Sequence, residues 1–409
     1  MLLGIGPDGP VRGRRVAITG LGVVSCCGTG TDALWTGLNA PQPTGERRVP
    51  DFEPSRWFGP REERQLDRFA QFGVAAAAMA LDDAGQLVVD PARAGVVLGT
   101  GVGGFETLQT QVLVFGEKGA RRVSPRLVPM MMANAGAANV SMRLGWHGPS
   151  ETITTACAAG TDSIGAAARL VASGRCDVAI GGGSEAAMTE VGIAAFANMT
   201  ALSTSGVSRP FDVRRDGFVI TEGAAALVLE AWDHAVARGA RIYAELTGAA
   251  RTADAHHITA PAPEGTGAAA CMALAMADAG IRPEDVGQIN AHGTSTPPND
   301  LAESLAIRAT FEDAAPPVTS TKGVTGHGLG AAGAIEAVAS VLSIVHAAIP
   351  PTAGHEQRDP QIDIDVVAGS ARPWAPTHVL SNSFGFGGHN GCLVISAPGN
   401  GPRSEEGRT

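Results

Sequence analysis

The stretch TTACAAGTD, residues 154–162, joins a short β-prone run at 151–155 to a helix of small residues predicted at 163–172. The N-terminal end of a helix has unpaired N–H groups and a positive dipole end, which favour negative charge nearby. We therefore expect a lowered thiol pKa and a nucleophilic thiolate at Cys157. The competing interpretation is a buried structural cysteine, because free cysteine packs as a small hydrophobic side chain.

The composition is that of a globular protein with a closely packed core. Of the 409 residues, 44% are hydrophobic and 17% are charged, which is ample for building a core. Aromatic residues make up 4%, so small and branched aliphatic side chains must fill the core, which suits helices lying tightly on sheets. The net charge of −10 argues against a general nucleic-acid-binding protein.

The six cysteines occur without a CxxC pair or a repeated spacing. This arrangement predicts neither a zinc site nor a disulfide framework. The residues before Arg15 contain no apolar leader, and no run approaches about 18 uninterrupted apolar residues. We therefore expect a cytoplasmic, reduced protein without a membrane segment.

Buried strands alternate with helices along the chain, which indicates an α/β fold. Two predicted helices end in the same tripeptide, Asp-Ala-Gly, at 83–85 and 278–280, and a strand that ends near glycine follows each. A second pair of similar glycine-rich helices is predicted at 163–172 and 330–348. These repeats predict two similar halves that meet near residue 245.

Three further segments can carry chemistry, and each follows a predicted strand. They contain His292 in NAHGTSTP (290–297), Lys322 and His327 in STKGVTGHGLGAAG (320–333), and Phe386 in NSFGFGGHN (382–390). Loops at the carboxyl ends of strands collect site residues in α/β folds, so we expect these segments to meet Cys157. Taken singly, a histidine is more often structural than catalytic. A metal site is not expected, because the histidines lack paired-ligand spacing such as HxxxH.

In this order, these motifs and the block SRPFD–RRDGFVITEGAA (208–225) resemble the β-ketoacyl-acyl carrier protein synthases. The resemblance is closest to the elongating condensing enzymes of the fatty acid synthase II type and to ketosynthases of type II polyketide pathways. It implies an α/β, thiolase-like, five-layered αβαβα duplication. The implied halves are 14–245, with the nucleophile, and 246–397, with the His/Lys/His residues and the glycine-rich loop. The ends, 1–13 and 398–409, are rich in glycine, proline and charge and are expected to be disordered.

The resemblance also implies a role for each matching residue. Cys157 matches the nucleophile that takes the acyl chain from acyl carrier protein. His292 and His327 match the histidines that hydrogen-bond the malonyl thioester oxygen and promote loss of its carboxylate. Lys322 matches a lysine that organises the site electrostatically, with Glu336 as its partner carboxylate.

Substrate contacts are implied for Val102, Thr294, Thr296 and Phe386, and the Phe386 ring also matches a gate. The backbone N–H groups of Cys157 and Phe386 match an oxyanion hole. Val102 resembles a position that limits acyl-chain depth, and its small side chain favours medium or long chains.

The implied reaction is transacylation onto Cys157 and then decarboxylative Claisen condensation with malonyl-acyl carrier protein, giving 3-oxoacyl-acyl carrier protein in fatty acid elongation. A thiolate suits an acyl group that must be passed on again, and two imidazole donors suit an enolate oxygen. No cofactor is needed, and no cofactor motif is present. One alternative is a ketosynthase of a type II polyketide pathway, which the motifs barely separate. Two others are a silent chain-length subunit, which usually lacks the cysteine, and a thiolase, which uses a second cysteine where this chain has His327.

An acidic acyl carrier protein is the implied partner, so a basic surface is expected near the site entrance. Two groups of arginines are candidates for it: Arg61, Arg64, Arg68, Arg121, Arg122 and Arg126. An ordinary solvated face is the competing interpretation. The resemblance implies a homodimer, or a heterodimer with a chain-length partner, and neither a nucleic-acid nor a membrane partner.

Overall fold

The computed structural model describes residues 1–6 and 9–399. The strands in these residues are β1 (Leu2–Gly6), β2 (Gly9–Arg12), β3 (Val16–Ser25), β4 (Gly28–Thr29), β5 (Ala94–Gly99), β6 (Ser150–Ile153), β7 (Val178–Glu185), β8 (Gly223–Ala231), β9 (Ala244–Ala253), β10 (Gln288–Asn290), β11 (Val318–Thr319), β12 (Ala348–Ile349), β13 (Arg372–Pro373), β14 (His378–Gly385) and β15 (His389–Ser396). The α-helices are α1 (Thr31–Leu38), α2 (Pro60–Glu63), α3 (Arg68–Ala84), α4 (Phe105–Lys118), α5 (Leu127–Met131), α6 (Ala135–Leu144), α7 (Ala159–Ala172), α8 (Glu190–Asn198), α9 (Trp232–Ala237), α10 (Thr266–Ala279), α11 (Pro297–Phe311), α12 (Lys322–Thr325) and α13 (Ala332–His346).

The same strand order occurs twice in the main sheet. The order is β6-β5-β7-β8-β3 in the first half and β11-β10-β14-β15-β9 in the second. In each half the first three of these strands are parallel, and each of the last two is antiparallel to the strand before it. The halves join where β3 pairs antiparallel with β9, Ala17 opposite Glu245 and Ile18 opposite Ala244. This repetition confirms the predicted duplication, while the division between residues 245 and 246, just inside β9, stays a prediction.

The helices and the two sheet halves form five layers. The central helices α7 and α13 share one hydrophobic core with Leu227 of β8 and Leu393 of β15, one strand from each half. On the outer face of the first half, α3 buries Phe69 against the sheet. On the outer face of the second half, α10 and α11 bury Met272 and Ile307. The order is therefore α, β, α, β, α, as the thiolase-like fold requires.

Small residues let α7 and α13 lie close together in the central layer. A Cβ added at Gly333 would lie 2.1 Å from Thr161 Oγ1, and one added at Gly160 would lie 2.8 Å from Ala334 N. Extra atoms in such a packed core typically cost about 1–3 kcal/mol, so glycine at these positions has a packing reason.

The two central helices differ slightly from their predicted bounds. The helix predicted at 163–172 begins at Ala159, because the 3₁₀ turn Ala156–Ala158 leads directly into it. The helix predicted at 330–348 is shorter than expected. It runs from Ala332 to His346, because the 3₁₀ turn Leu329–Ala331 takes the place of its first residues.

The N-terminal segment differs from the expected disorder. Strands β1 and β2 pair antiparallel, with Leu2 opposite Arg12, and the N–H of Gly13 donates to the carbonyl of Met1 at 3.0 Å. Met1 belongs to the central core, and Arg12 donates to the carbonyl of Asp278 at 3.3 Å. These contacts with distant parts of the chain hold a segment whose own composition suggests disorder. At the other end, residues 400–409 lie outside the described residues.

One apolar segment is long enough to cross a membrane by length and composition alone. This segment, Leu329–His346, is 83% buried inside the protein. It contains α13, so its apolar character belongs to the central layer.

Candidate active site

Cys157 lies in a tight turn at the N-terminal end of a central helix. Ala156 opens the 3₁₀ turn Ala156–Ala158 in the left-handed region, at φ 50°, and α7 follows directly. The Cys157 side chain is buried, with 7% of the residue exposed. The turn thus presents the thiol beside the first N–H groups of α7.

His327 reaches Cys157 from the second half of the molecule. Its N–H donates to the carbonyl of Val219 at 2.7 Å, and its carbonyl accepts from the N–H of Thr221 at 3.1 Å. The backbone of His327 is therefore fixed on both its N–H and its carbonyl side, and this positions the ring. His327 Nε2 lies 3.1 Å from Cys157 Sγ, within hydrogen-bond distance of the thiol.

A second imidazole, His292, follows β10 and stands edge-on to the first. The His292 and His327 ring centroids are 5.3 Å apart, and the ring planes meet at 84°. Lys322 Nζ donates to the carbonyl of His292 at 2.6 Å and lies 3.3 Å from its Nδ1. Since an ammonium can only donate, His292 Nδ1 accepts, and the ring proton must be on Nε2.

Lys322 and Glu336 form a buried ion pair behind the histidines. Lys322 Nζ donates to Glu336 Oε1, and the two side chains are 1% and 2% exposed. Lys322 is the first residue of α12, whereas Glu336 lies in the first turns of α13. The pair thus links the segments that flank His327.

Burial sets the protonation states of the three reactive groups. Burial raises the pKa of the Cys157 thiol to about 11, although the Lys322 ammonium and the Phe386 N–H oppose the rise. The expected lowering of this pKa is therefore wrong, because lost hydration outweighs the favourable donors. Burial lowers the pKa of His292 and of His327 well below the usual range, and the Lys322 charge adds to both effects. At neutral pH the site holds a thiol and two neutral imidazoles.

The thiol and both imidazoles open into a cavity of about 570 Å³. The other predicted substrate contacts, Val102, Thr294, Thr296 and Phe386, also line it. Thr294 Oγ1 and Thr296 Oγ1 are 2.8 Å apart, which gives one polar patch in a wall that is mostly apolar. Within the described part of the chain, no three His, Cys, Asp or Glu side chains are placed to hold a metal ion.

Glu303 supports His292 and was not found from the sequence. Its carboxylate accepts from the N–H groups of His292 and Gly293, both at 2.8 Å. The residue is 1% exposed, and burial raises the pKa of its carboxyl to about 7. A lone glutamate 11 residues after a histidine has no motif, so the sequence offered no signal for it.

Five of the six predicted docking arginines are solvent-exposed, whereas Arg68 is engaged in an ion pair. Arg68 Nε and Nη2 donate to the buried carboxylate of Glu222 at 2.9 and 2.7 Å. The others are solvent-exposed around α2, the 3₁₀ turn Ala120–Arg122 and the start of α5: Arg61, Arg64, Arg121, Arg122 and Arg126. An arginine in a bidentate pair has few donors left for a partner, so only the exposed set suits docking.

Two family profiles cover most of the chain. Residues 47–235 match the N-terminal domain of β-ketoacyl synthase, and residues 243–356 match its C-terminal domain. Among curated proteins, the 3-oxoacyl-[acyl-carrier-protein] synthase 2 of Synechocystis is 44% identical over 93% of this chain and 98% of its own length. The enzyme of the same name from Vibrio harveyi is 41% identical, with coverage of 93% and 98%.

Solved structures show the same architecture. The ishigamide ketosynthase/chain length factor matches with a TM-score of 0.90 and 36% identity, over 95% of this chain and 100% of that one. A type II polyketide ketosynthase, solved with its acyl-carrier protein, matches with a TM-score of 0.86 and 32% identity, over 94% and 99%. With the paired imidazoles facing a buried thiol, these likenesses show that the chain belongs to the β-ketoacyl synthase family.

Proposed function

We propose that this protein is an acyltransferase that elongates fatty acids on acyl carrier protein. It takes an acyl chain onto Cys157 and condenses it with malonyl-acyl carrier protein, releasing carbon dioxide and 3-oxoacyl-acyl carrier protein. The observation that carries the proposal is the 3.1 Å contact between His327 Nε2 and Cys157 Sγ, with His292 beside it in an apolar cavity.

Acylation begins from the neutral thiol and a neutral imidazole. As Cys157 Sγ attacks the thioester carbon, its proton passes to His327 Nε2, and the imidazolium returns that proton to the departing pantetheine sulfur. The backbone N–H groups of Cys157 and Phe386, both near Sγ, are suited to the oxyanion. His327 Nδ1 has no hydrogen-bond partner among the described residues, so the protein leaves this ring free to accept or donate at Nε2.

Decarboxylation of the malonyl thioester develops negative charge on its carbonyl oxygen. His292 is fixed as an Nε2–H donor by Lys322, and His327 supplies the second donor. When carbon dioxide leaves, the enolate carbon attacks the acyl carbon on Cys157, and Sγ leaves as a thiolate that recovers a proton from solvent. Removing one such donor typically lowers the rate by about 10²–10³.

Intact-protein mass spectrometry tests the proposal. The wild type incubated with acyl-acyl carrier protein should gain the mass of one acyl group, and Cys157→Ala should gain none. Adding malonyl-acyl carrier protein should then release carbon dioxide and remove the acyl mass. Acylation that survives Cys157→Ala would refute the assigned nucleophile, whereas acylation without carbon dioxide release would indicate a transacylase. Cys176→Ala, a buried cysteine outside the cavity, is the matched control.

A type II polyketide ketosynthase is the second candidate function. It is favoured by the structural likeness to the ishigamide ketosynthase/chain length factor, at a TM-score of 0.90. A fatty acid enzyme should accept saturated acyl chains, whereas a polyketide enzyme should prefer unreduced 3-oxoacyl or polyene chains. Competition between the two kinds of acyl-acyl carrier protein for Cys157 decides between them.

Acyl carrier protein is the proposed partner, and the exposed arginines are its proposed docking surface. Charge reversal at Arg64 or Arg122 should slow acyl transfer at low salt, and the difference from wild type should shrink as salt screens the contact. Arg282→Glu, a charge reversal at a distant exposed arginine, is the control. Equal loss for both kinds of variant would contradict the proposed surface.

A homodimer is the proposed assembly, and a heterodimer with a chain-length partner is the alternative. Among the described residues, β6 is an edge strand that pairs only with β5, and α4 contains no buried residue. On α4, the apolar Val112, Leu113 and Phe115 are 58%, 53% and 57% exposed. An open strand edge and exposed apolar side chains are typical of surfaces that a partner covers. Sedimentation of the pure protein at twice the chain mass would support self-association.

Two further expectations remain proposals. The cytoplasm is the proposed location, which suits a carrier-protein substrate and six unpaired cysteines. The proposed halves are 14–245 and 246–397, supported by the repeated strand order.

A further inference from the structure

A fully buried carboxylate, Glu185, takes no part in the steps above. It is the last residue of β7 and is 0% exposed. Its hydrogen-bond partners among the described residues are neutral: the Thr100 hydroxyl donates to Oε1 at 3.0 Å, and two backbone N–H groups donate to Oε2. Burying a carboxylate without a cation is costly, so its presence here needs a reason.

The two backbone N–H groups come from opposite halves of the molecule. Gly101 donates at 2.6 Å from the segment that follows β5, next to Val102. Gly330 donates at 3.1 Å from the turn that follows His327. Gly101, Val102 and His327 all line the cavity that contains Cys157. One carboxylate therefore joins the wall of the acyl cavity to the segment that carries a catalytic imidazole.

The packing at this junction leaves the carboxylate as the available acceptor. A Cβ added at Gly330 would lie 2.3 Å from Gly101 N, so Gly330 has no room for a side chain, whereas a Cβ added at Gly101 would lie 2.7 Å from Glu185 Oε2 itself. A Cβ at Gly183, two residues before Glu185 on the same strand, would lie 2.5 Å from the Gly330 carbonyl oxygen. The backbones at Gly101, Gly183 and Gly330 meet here without room for other side chains. The N–H groups of Gly101 and Gly330 therefore need an acceptor, which the Glu185 side chain at the end of β7 supplies.

We infer that Glu185 is a positioning residue whose carboxylate fixes His327 relative to the wall of the acyl cavity at Val102. The inference rests on the proposed function, because it concerns the geometry of that reaction. Glu185 also affects the Cys157 thiol electrostatically. Burial is the largest cause of the raised thiol pKa, and the negative charge of Glu185 raises that pKa further. A substitution that removes the charge of Glu185 but keeps a hydrogen-bond acceptor should separate the positioning of His327 from the electrostatic effect on the Cys157 pKa.

Two variants test the role. In Glu185→Gln the amide oxygen can still accept from Gly101 and Gly330, and the amide N–H can donate to Thr100. In Glu185→Ala both backbone N–H groups lose their acceptor. A displacement of about 1 Å can cost about 10²-fold in rate, so we expect the Ala variant to lose about that factor in kcat. The Gln variant should keep a kcat at least about tenfold above that of the Ala variant, since it retains both N–H bonds.

Two readouts separate positioning from general stability. The dependence of acyl transfer on chain length should change in Glu185→Ala, because the cavity wall moves relative to His327. The pH midpoint of Cys157 alkylation by iodoacetamide should fall in Glu185→Gln, because a negative charge near the thiol is gone. A variant that had only lost stability, as measured by thermal melting, would show neither change. Glu190→Gln removes an exposed carboxylate on α8 and is the matched charge control.

Specific outcomes would overturn the inference. It fails if Glu185→Ala has a kcat within about threefold of wild type and an unchanged chain-length profile. It also fails if Glu185→Gln is as slow as Glu185→Ala, because the acceptor geometry would then be irrelevant. Failure of the proposed function has a different signature, since the wild type itself would then show no acylation at Cys157.

Discussion

Replacing Lys322 by methionine separates the structural from the chemical role of the buried ion pair. The side chain is 1% exposed, and its ammonium contacts the Glu336 carboxylate, the carbonyl of His292 and His292 Nδ1. Lys322→Met keeps the length of the side chain and removes all three donors. Breaking a buried pair on one side typically costs about 3–5 kcal/mol, so we expect a loss of that size in the free energy of unfolding.

The chemical loss should be separable from this destabilisation. Without the ammonium, the proton of His292 can sit on either ring nitrogen, and the Nε2–H donor is no longer assured. Loss of one donor to a developing oxyanion lowers rates by about 10²–10³, so we expect a fall of that order in malonyl decarboxylation. In Lys322→Met/Glu336→Leu no charge is left unpaired, and replacing both members of a buried pair is often neutral or stabilising.

The assay measures thermal melting and single-turnover release of carbon dioxide from malonyl-acyl carrier protein. The double variant should regain most of the stability lost in Lys322→Met while decarboxylation stays slow. The reasoning is refuted if the double variant decarboxylates at the wild-type rate, because Lys322 would then not orient His292. Arg372→Met, which breaks an ion pair at the protein surface, is the control for removing a cation.

Three other predictions concern the nucleophile, the cavity and the assembly. Because burial raises the Cys157 pKa to about 11, its alkylation rate should rise about tenfold per pH unit from about pH 7 to 10; a plateau below about pH 8 would contradict this. Val102→Phe should shorten the longest acyl chain that is transferred, measured with a series of acyl-acyl carrier proteins, and an unchanged limit would place the end of the cavity elsewhere. Leu113→Asp on α4 should weaken self-association by about 10²-fold in sedimentation, whereas Val88→Asp at another exposed apolar position should not.

The parts of the site that lie in local motifs could be predicted from the sequence. Cys157, His292, His327 and Phe386 each stand in a glycine-rich segment after a strand, and the structure brings all four to one cavity. The α/β repeat was also visible, because two helices end in the same tripeptide before equivalent strands, β5 and β10. Local patterns of this kind survive in a single sequence because the turn and the helix start are made by neighbouring residues.

Long-range features could not be predicted in this way. The sign of the Cys157 pKa shift depends on burial by segments far along the chain, which nine local residues do not reveal. Glu185 and Glu303 act on backbone N–H groups that become their neighbours only when strands and helices assemble. The N-terminal hairpin is held by contacts with the central core and with Asp278, so its own composition gave the wrong expectation.

The internal repeat contains two equivalent turns that could each present a nucleophile, and backbone packing leaves no room for a side chain in one of them. Ala156 and Leu329 open equivalent turns at φ 50° and 47°, each leading into a central helix. The next residue is the nucleophile Cys157 in one turn and Gly330 in the other. A Cβ on Gly330 would lie 2.3 Å from Gly101 N, so no thiol could be carried there. Steric exclusion thus leaves this chain with one nucleophile position instead of two, and in the second half the reactive side chain is the His327 imidazole, two residues before the turn.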